Sequence, residues 1–235
     1  MNVVYNCIDI IQNALLPATC ILCGNAGFNG LDICEICHNR LIRNINCCNR
    51  CAETFSSPVA APTLCGRCVN ETPAFDATVA PFTHQDEIRY LINGLKFGSQ
   101  FKNARLLGRL LAETIELTAD LPDCIIPVPL HSSRYHERGF NQSLEIARTV
   151  SDNLRVGINH RVCIRHKDTS HQTGLSAKKR RKNLRRAFSV VKPIAANHVA
   201  ILDDVMTTGT TVNELAKVLK QAGASRVDVW VCARA

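Results

Sequence analysis

The sequence lacks two features that would each define a class of protein. No apolar run among its 235 residues approaches the roughly 18 residues that cross a bilayer, so no membrane-spanning helix is expected. The first residues contain no basic cluster, and Asp9 interrupts their apolar stretch, which argues against a secretory signal and predicts a cytoplasmic protein. Hydrophobic residues make up 46% and charged residues 20% of the chain, a globular balance that excludes wholesale disorder.

Aromatic residues are scarce at 5% of the chain, and acidic residues are nearly absent from one segment. Residues 165–192 contain ten lysines and arginines but a single acid, Asp168, so the segment carries +9 while the whole chain carries +8. The positive charge is therefore local and needs a local explanation. Phe188 is the only aromatic residue in this segment, so base stacking is weakly supported there and phosphate contact is consistent with the pattern.

The densest part of that segment is a basic run with seven cations in nine positions. A solvated helical face is the usual interpretation of such a run, but no acidic partner lies nearby to form ion pairs along a helix. Two specific interpretations stay open, namely closure over an anionic ligand and contact with nucleic-acid phosphates. The run consists of Lys178, Lys179, Arg180, Arg181, Lys182, Arg185 and Arg186.

Cysteine is the residue type in excess, with 13 copies, of which eight form four C-x-x-C pairs. Without an export signal, such pairs indicate metal binding and not disulfides. Two thiolates three residues apart present both sulfur atoms to one tetrahedral ion, so four pairs predict two closed, structural Zn²⁺ sites. The zinc would supply folding energy that this short, polar region cannot obtain from a core. The predicted ligands are Cys20, Cys23, Cys34, Cys37, Cys48, Cys51, Cys65 and Cys68.

The spacing leaves open which pairs share an ion. Loops of ten, ten and thirteen residues separate the successive pairs, and we favour two sequential ribbons over interleaved sites. Cys47, next to Cys48, is a plausible alternative ligand. Unpaired buried cysteines, a redox C-x-x-C motif and an iron–sulfur cluster are the less favoured interpretations.

The end of the cysteine-rich region predicts a domain boundary. We expect a first domain at residues 1–72, formed by a helix over 3–16 and a double zinc ribbon, and a second domain at residues 73–235. Strand and helix patterns alternate in the second domain, which predicts an α/β fold with a parallel sheet. The predicted strands are 75–82, 123–130, 157–164, 199–202 and 227–233, and the predicted helices are 86–97, 104–119, 141–154 and 210–222.

The strongest sign of a functional site is the acidic and threonine-rich segment after the strand at 199–202. Asp203 and Asp204 would lie at the carboxyl edge of the sheet, where open α/β folds bind ligands, and two adjacent acceptors suit the vicinal hydroxyls of a ribose. The following turn combines backbone N–H groups, hydroxyls and a helix N-terminus, which together suit a phosphate. Helix capping alone explains only one of these residues. The turn consists of Thr207, Thr208, Gly209, Thr210 and Thr211.

These residues resemble the phosphoribosyl-pyrophosphate (PRPP) motif of the type I phosphoribosyltransferases. From Pro17 to its last residue the chain is similar to the ComF/GntX competence family, in which a double zinc ribbon precedes a phosphoribosyltransferase-like domain. The other motifs that carry the similarity are Leu95-Lys96-Phe97, Ile126-Pro127-Val128-Pro129-Leu130, Arg138-Gly139-Phe140-Asn141-Gln142, Thr169-x-x-Gln172-x-x-Leu175, Arg180-x-x-Asn183 and Ala187-Phe188.

The resemblance implies a set of PRPP contacts and a second metal. Asp203 and Asp204 would bind the ribose hydroxyls with the help of Mg²⁺ and would be the catalytic residues of an active enzyme. The threonine-rich turn would hold the 5′-phosphate, residues 127–131 would form the pyrophosphate loop, and residues 165–188 would form a mobile hood. The remaining implied PRPP contacts are Lys96, Pro127, Val128 and Pro129.

Two classes of function stay open on the sequence. The competence resemblance implies a PRPP-binding protein that handles single-stranded DNA during natural transformation, with DNA and competence proteins as partners. The alternative is an enzyme that transfers the phosphoribosyl group of PRPP to a nitrogenous base and releases pyrophosphate. A fold does not decide between them, but the sequence offers no identifiable general base for a nucleobase, which favours the binding function.

Overall fold

A computed structural model describes residues 17–59, 62–167 and 187–235. The helix predicted over 3–16 and the whole basic run lie outside these residues, as do the motif residues Thr169, Gln172, Leu175 and Asn183. The chain forms two compact units, residues 1–42 and 43–235. The boundary after residue 72 stays a prediction, since the packing groups the second half of the cysteine-rich region with the residues that follow it.

The first unit is built from short turns around the first four predicted ligands. An antiparallel bridge joins Thr19 to Ala26, and helix α1 (Glu35–Asn39) carries Cys37. Gly24 has a φ angle of +81°, in the left-handed region that glycine adopts without strain, as expected for a knuckle turn directly after a ligand.

The second unit contains a five-stranded parallel sheet. The sheet has the order β1-β7-β6-β3, and β2 pairs with β7 beyond the end of β1. Strand β7 is buried along nearly its whole length, which requires cover on both faces of the sheet, as is usual for parallel strands. These strands are β1 (Ala77–Val79), β2 (Phe82–Thr83), β3 (Cys124–Pro127), β6 (His198–Met206) and β7 (Arg226–Arg234).

The other elements among the described residues of this unit are helices and one antiparallel strand pair. The strands of the pair are β4 (Cys163–Arg165) and β5 (Phe188–Val190). The helices are α2 (Gly66–Asn70), α3 (Asp86–Gly98), α4 (Phe101–Thr118), α5 (Ser132–Arg138), α6 (Gln142–Leu154) and α7 (Thr210–Gln221). None of the described helices is long and apolar enough to cross a membrane.

The long helices agree with the sequence prediction to within three residues at each end, but several strands differ. The strand predicted over 75–82 is split into β1 and β2 around Pro81, which has no N–H group to donate to a ladder. The segment 157–164 contributes only one bridge, from Ile158 to Ile125, before β4 begins. Helix α5 lies between the predicted strand at 123–130 and the predicted helix at 141–154, in a segment for which we predicted no element.

The strand predicted over 199–202 is longer than expected. It continues to Met206, because its parallel register with β7 extends to the pair Met206–Arg234. Strand β3 ends earlier, at the pair Pro127–Leu202. The two carboxylates therefore lie on the part of β6 that projects beyond β3, at the carboxyl edge of the sheet.

The second group of ligand cysteines belongs to the core of the second unit. Its four cysteines are buried in the same apolar cluster as Phe75, Met206 and Leu215. The second half of the cysteine-rich region thus shares a buried cluster with Met206 at the end of β6 and with Leu215 of α7.

Candidate functional site

The paired carboxylates are held by side chains from two helices. The Ser143 hydroxyl donates to Asp203 Oδ1 at 2.8 Å, and the Gln142 amide donates to Asp204 Oδ1 at 3.4 Å. Asp204 is 3% exposed and forms an ion pair with the ammonium of Lys96 at the end of α3. The C-terminus of α3 and the N-terminus of α6 therefore converge on the end of β6.

The two carboxylates have opposite pKa shifts. Burial, together with the neighbouring Asp204 carboxylate, raises the pKa of Asp203 to about 7. Burial also acts to raise the pKa of Asp204, but the Lys96 ammonium outweighs it, so the pKa falls below its usual range. The pair thus holds one permanent negative charge, balanced by Lys96, and a second carboxyl group that ionises near neutral pH.

The threonine-rich turn connects β6 to α7. Gly209 has a φ angle of +72° and is the residue before the first turn of α7. The hydroxyls of Thr208 and Thr210 lie 2.8 Å apart, and Thr207 is exposed. Because the turn directly precedes the twelve-residue helix α7, the unpaired N–H groups and the positive end of the helix dipole lie at the turn.

The segment after β3 lies beside the same edge. The N–H of Val128 donates to the Leu202 carbonyl at 2.9 Å, and the Asn141 amide donates to the Val128 carbonyl at 3.0 Å. These bonds place Pro127, Val128 and Pro129 next to the carboxylates. The structure therefore brings the predicted contacts on β3, α3 and β6 to one place, while the basic run lies outside the described residues.

Sequence reasoning missed part of this site. Ser143 was not singled out, and Gln142 and Arg138 were named only as parts of a motif, although the Arg138 guanidinium donates to Gln142. One signal was available, because Asn141 directly precedes a helical pattern and its side chain caps α6 by accepting from the Ser143 N–H. The first helical residues after a loop at the sheet edge are where site residues belong.

The eight predicted zinc ligands form two quartets in sequential order, as favoured by the spacing. Within each quartet all four sulfur atoms lie within 4.8 Å of one another. The Cys23–Cys34 and Cys51–Cys65 sulfur distances are 3.5 and 3.6 Å. A tetrahedral ion with Zn–S bonds of about 2.3 Å requires about 3.8 Å, so both sites fit zinc. The first quartet is Cys20, Cys23, Cys34 and Cys37, and the second quartet is Cys48, Cys51, Cys65 and Cys68.

Backbone groups prepare one thiol of each quartet for metal binding. Burial acts to raise the pKa of Cys20 and of Cys48, but backbone hydrogen bonds to their sulfur atoms outweigh it. The pKa values fall to about 6 for Cys20 and about 7 for Cys48, which favours the thiolate that ligates zinc. Cys47 is outside both quartets and pairs through its backbone with Thr54, so it is not a ligand in this arrangement.

Known proteins match this chain in both of its parts. Residues 11–69 match the double zinc ribbon domain family. The chain is 33% identical over 226 residues to DNA utilization protein YhgH of Salmonella typhimurium, covering 93% of this chain and 98% of that protein. It is 34% identical over 225 residues to competence protein F of Haemophilus influenzae, covering 92% and 96%. A solved glutamine PRPP amidotransferase from B. subtilis, complexed with ADP and GMP, matches 55% of this chain and 25% of that one, with 21% identity and a TM-score of 0.38.

Two cysteine quartets, followed by a parallel α/β domain with paired carboxylates at its carboxyl edge, define a class of zinc-ribbon α/β proteins. Within that class, the chain belongs to the ComF/GntX competence family, because relatives above 30% identity align with it over nearly their whole length. The identification made from the sequence motifs is therefore confirmed, and so is the fold class, a parallel-sheet α/β domain preceded by a cysteine-rich zinc ribbon region.

Proposed function

We propose that this protein binds PRPP together with Mg²⁺ at the carboxylate pair and handles single-stranded DNA during DNA uptake, in the cytoplasm. One observation carries the PRPP assignment. Asp203 and Asp204 lie at the carboxyl edge of a parallel sheet, directly before a threonine–glycine turn and the N-terminus of α7. Acceptors for two hydroxyls and donors for a phosphate are therefore adjacent, as a phosphorylated ribose requires.

The other contacts follow from charge. Lys96 lies at the carboxylates, so its ammonium would face the negative charge that the diphosphate of PRPP brings to the site. The segment 127–131 would hold that diphosphate from the neighbouring strand end. Thr207, Thr208, Gly209, Thr210 and Thr211 would hold the 5′-phosphate.

Magnesium fits this site as a companion of the ligand. Among the described residues, only the two cysteine quartets gather three or more metal-binding side chains, so the carboxylate pair is not a complete cage for Mg²⁺. Mg²⁺ is usually held by substrate phosphates and water with few protein ligands. We therefore expect the ion to enter with the diphosphate of PRPP and to neutralise part of its charge.

The DNA part of the proposal is supported by the relatives and by charge. Two relatives that align over nearly their whole length are named a DNA utilization protein and a competence protein. The basic run at residues 178–186 carries seven cations, enough to contact several phosphates of one strand.

Replacing both carboxylates tests the PRPP assignment. The double substitution Asp203→Asn with Asp204→Asn should weaken PRPP binding at least about 100-fold, because two charge-assisted hydrogen bonds are lost. The measurement is calorimetric titration with PRPP and Mg²⁺. Asp152→Asn, which changes an exposed carboxylate of α6, is the matched control. Unchanged PRPP affinity in a double variant that retains two zinc ions would refute the assignment.

Neutralising part of the basic run tests the DNA assignment. Lys179→Gln, Arg181→Gln and Arg185→Gln together should weaken single-strand binding and flatten its salt dependence, by about 0.7 in the slope of log K against log salt for each lost phosphate contact. The carboxylate double variant should not weaken DNA binding, because it removes negative charge. A triple variant with an unchanged slope but lost PRPP binding would make the run a substrate hood and place the DNA contact elsewhere.

A second candidate function is phosphoribosyl transfer to a nitrogenous base. The observation that favours it is an exposed aromatic ring on the residue that follows Lys96. Phe97 follows Lys96, its side chain is 77% exposed, and the Arg138 guanidinium lies 5.8 Å from its ring centre. A planar base could stack on that ring next to a bound ribose. Pyrophosphate release, assayed over a panel of bases with the carboxylate double variant as the blank, separates an enzyme from a binding protein.

A further inference from the structure

Two arginines connect the second quartet to the threonine-rich turn. The first is Arg67, which lies in α2 between the ligands Cys65 and Cys68. Its guanidinium donates to the Thr208 carbonyl at 3.2 Å and to the Cys51 sulfur at 3.9 Å. One side chain thus contacts a zinc ligand and the backbone of the turn at the same time.

The second connection is Arg234, the last residue of β7, which is 3% exposed. It donates to the Met206 carbonyl at 3.0 Å, where β6 enters the turn, and to the Cys51 carbonyl at 3.2 Å. Glu53 accepts from both arginines, at 3.0 Å from Arg67 and also in an ion pair with Arg234. The residue before the turn and one residue within it are therefore tied to the segment from Cys51 to Glu53.

On the side of α2, side chains do not pack continuously between the second quartet and the turn. A cavity of about 210 Å³ is lined by Arg67 and Cys68 on one side and by Thr208, Gly209 and Asn213 on the other. The Arg67 side chain forms part of the cavity wall and reaches from α2 to the turn. The guanidinium therefore gives the turn a polar contact across this cavity, in addition to the apolar side chains of Phe75 and Met206 that lie next to Gly209.

A zinc ion at the second quartet would determine where that guanidinium is held. Helix α2 has five residues, too few for a helix to be stable by itself, and two of its flanking and internal positions are the ligands Cys65 and Cys68. A bound ion would fix both cysteines together with Cys51, and hence both the start of the Arg67 side chain and one of its partners.

We propose that the second zinc site, acting through Arg67, positions the threonine-rich turn, so that Arg67 is a positioning residue for the phosphate-binding loop. The ligand named here rests on the proposed function, but the mechanical coupling between zinc and turn does not. A loop whose backbone groups must bind a phosphate loses affinity when it samples other positions, since preorganisation sets the cost of binding. The second zinc would thus be part of the ligand site without touching the ligand.

Hydrogen exchange in the zinc-loaded protein tests the coupling without any ligand. Arg67→Ala should speed amide exchange in residues 206–212 by about tenfold, while exchange in the rest of β6 and in β7 stays as it was. Arg50→Ala, which changes an arginine between the ligands Cys48 and Cys51, is the matched control and should leave the turn unchanged. Unchanged exchange in the turn, or equal acceleration throughout the sheet, would overturn the proposal.

A second variant and a second readout separate positioning from folding. Arg67→Lys keeps the charge, but an ammonium cannot reach both the Thr208 carbonyl and the Cys51 sulfur as a fork, so its exchange should be intermediate. PRPP affinity, measured by calorimetry, should fall about tenfold in Arg67→Ala with two zinc ions retained. If the native protein fails to bind PRPP, the proposed function fails while the exchange result still decides the coupling. Native PRPP affinity in a variant with a loosened turn would overturn the positioning role.

Discussion

The two cysteine quartets have the same ligands but different surroundings. The first quartet belongs to a compact unit of short turns, and Cys23 in it is exposed. All four cysteines of the second quartet are buried, and they share an apolar cluster with Met206 and Leu215 of the α/β domain. The first quartet therefore belongs to a small unit whose described residues bury three large apolar side chains, those of Leu31, Ile33 and Leu41, whereas the second quartet is part of the core of the α/β domain.

This difference predicts that loss of zinc from the two quartets, which have identical ligands, affects the rest of the protein to unequal extents. A small ribbon unit depends on its ion for stability, and loss of that ion should act mainly on the unit itself. The second ribbon contributes to the packing of α7 and, through Arg67 and Arg234, contacts the backbone beside the carboxylates. Loss of its ion should therefore lower the stability of the whole larger unit.

Removing one ligand from each quartet should give the largest contrast. Cys68→Ser should destabilise the α/β domain by about 3–5 kcal/mol, because a buried metal site is lost from its core. Cys37→Ser should change the unfolding of that domain by less than about 0.5 kcal/mol. Trp230 is the only tryptophan and is fully buried in β7, so its fluorescence during urea unfolding reports on the α/β domain alone. Equal losses in the two variants would show that the quartets do not differ in this way.

The rates at which the two quartets release zinc should also differ, and we expect this difference to be smaller than the difference in stability. A chelator can attack the first site at the exposed Cys23, whereas the second site must first open locally. We expect two phases of equal amplitude, with the second at least about tenfold slower. A colorimetric chelator follows the release, and Cys37→Ser should remove the fast phase. A single phase, or loss of the slow phase in Cys37→Ser, would contradict the assignment.

The smallest expected effect is a pH dependence of stability that comes from the carboxylate pair and not from the zinc sites. The folded protein holds the pKa of Asp203 at about 7 against an ordinary value of 3.8, so the folded state binds more protons between these values. Stability therefore falls as pH rises, by about 1 kcal/mol between pH 6 and pH 8. Urea unfolding of zinc-loaded protein measures it, and Asp203→Asn should flatten the dependence.

Asp152→Asn is the control for that experiment, because it removes an exposed carboxylate from the same domain. The control should keep the slope of the native protein. A stability that rises with pH in the native protein, or a slope that survives Asp203→Asn, would assign the dependence to other groups.

Local chemistry made part of this molecule predictable. The C-x-x-C spacing specified the eight ligands, because two thiolates three residues apart can bind one ion whatever surrounds them, whereas the structure decided which pairs share a site. Apolar periodicity predicted the long helices α3, α4, α6 and α7, because a buried stripe recurs with the helical period. The acidic and threonine-rich segment was recognisable because one strand, one turn and one helix supply it in sequence.

Contacts between distant segments were not predictable in this way. The extension of β6 to Met206 depends on its register with β7, and the position of Ser143 against Asp203 depends on how α6 crosses the sheet edge. The opposite pKa shifts of Asp203 and Asp204 require burial and the approach of Lys96. None of these is a property of a short window of residues.

The sequence by itself determined the ligands, the helical pattern and the acidic–threonine motif, because each depends on neighbours along the chain. Only the tertiary structure decided that the second quartet lies in the core of the α/β domain, and that Arg67 contacts both Cys51 and Thr208. Arg67 is separated from Thr208 by 141 positions. A bond across that separation forms only after the sheet has folded, since it is packing of the whole domain that brings the two segments together.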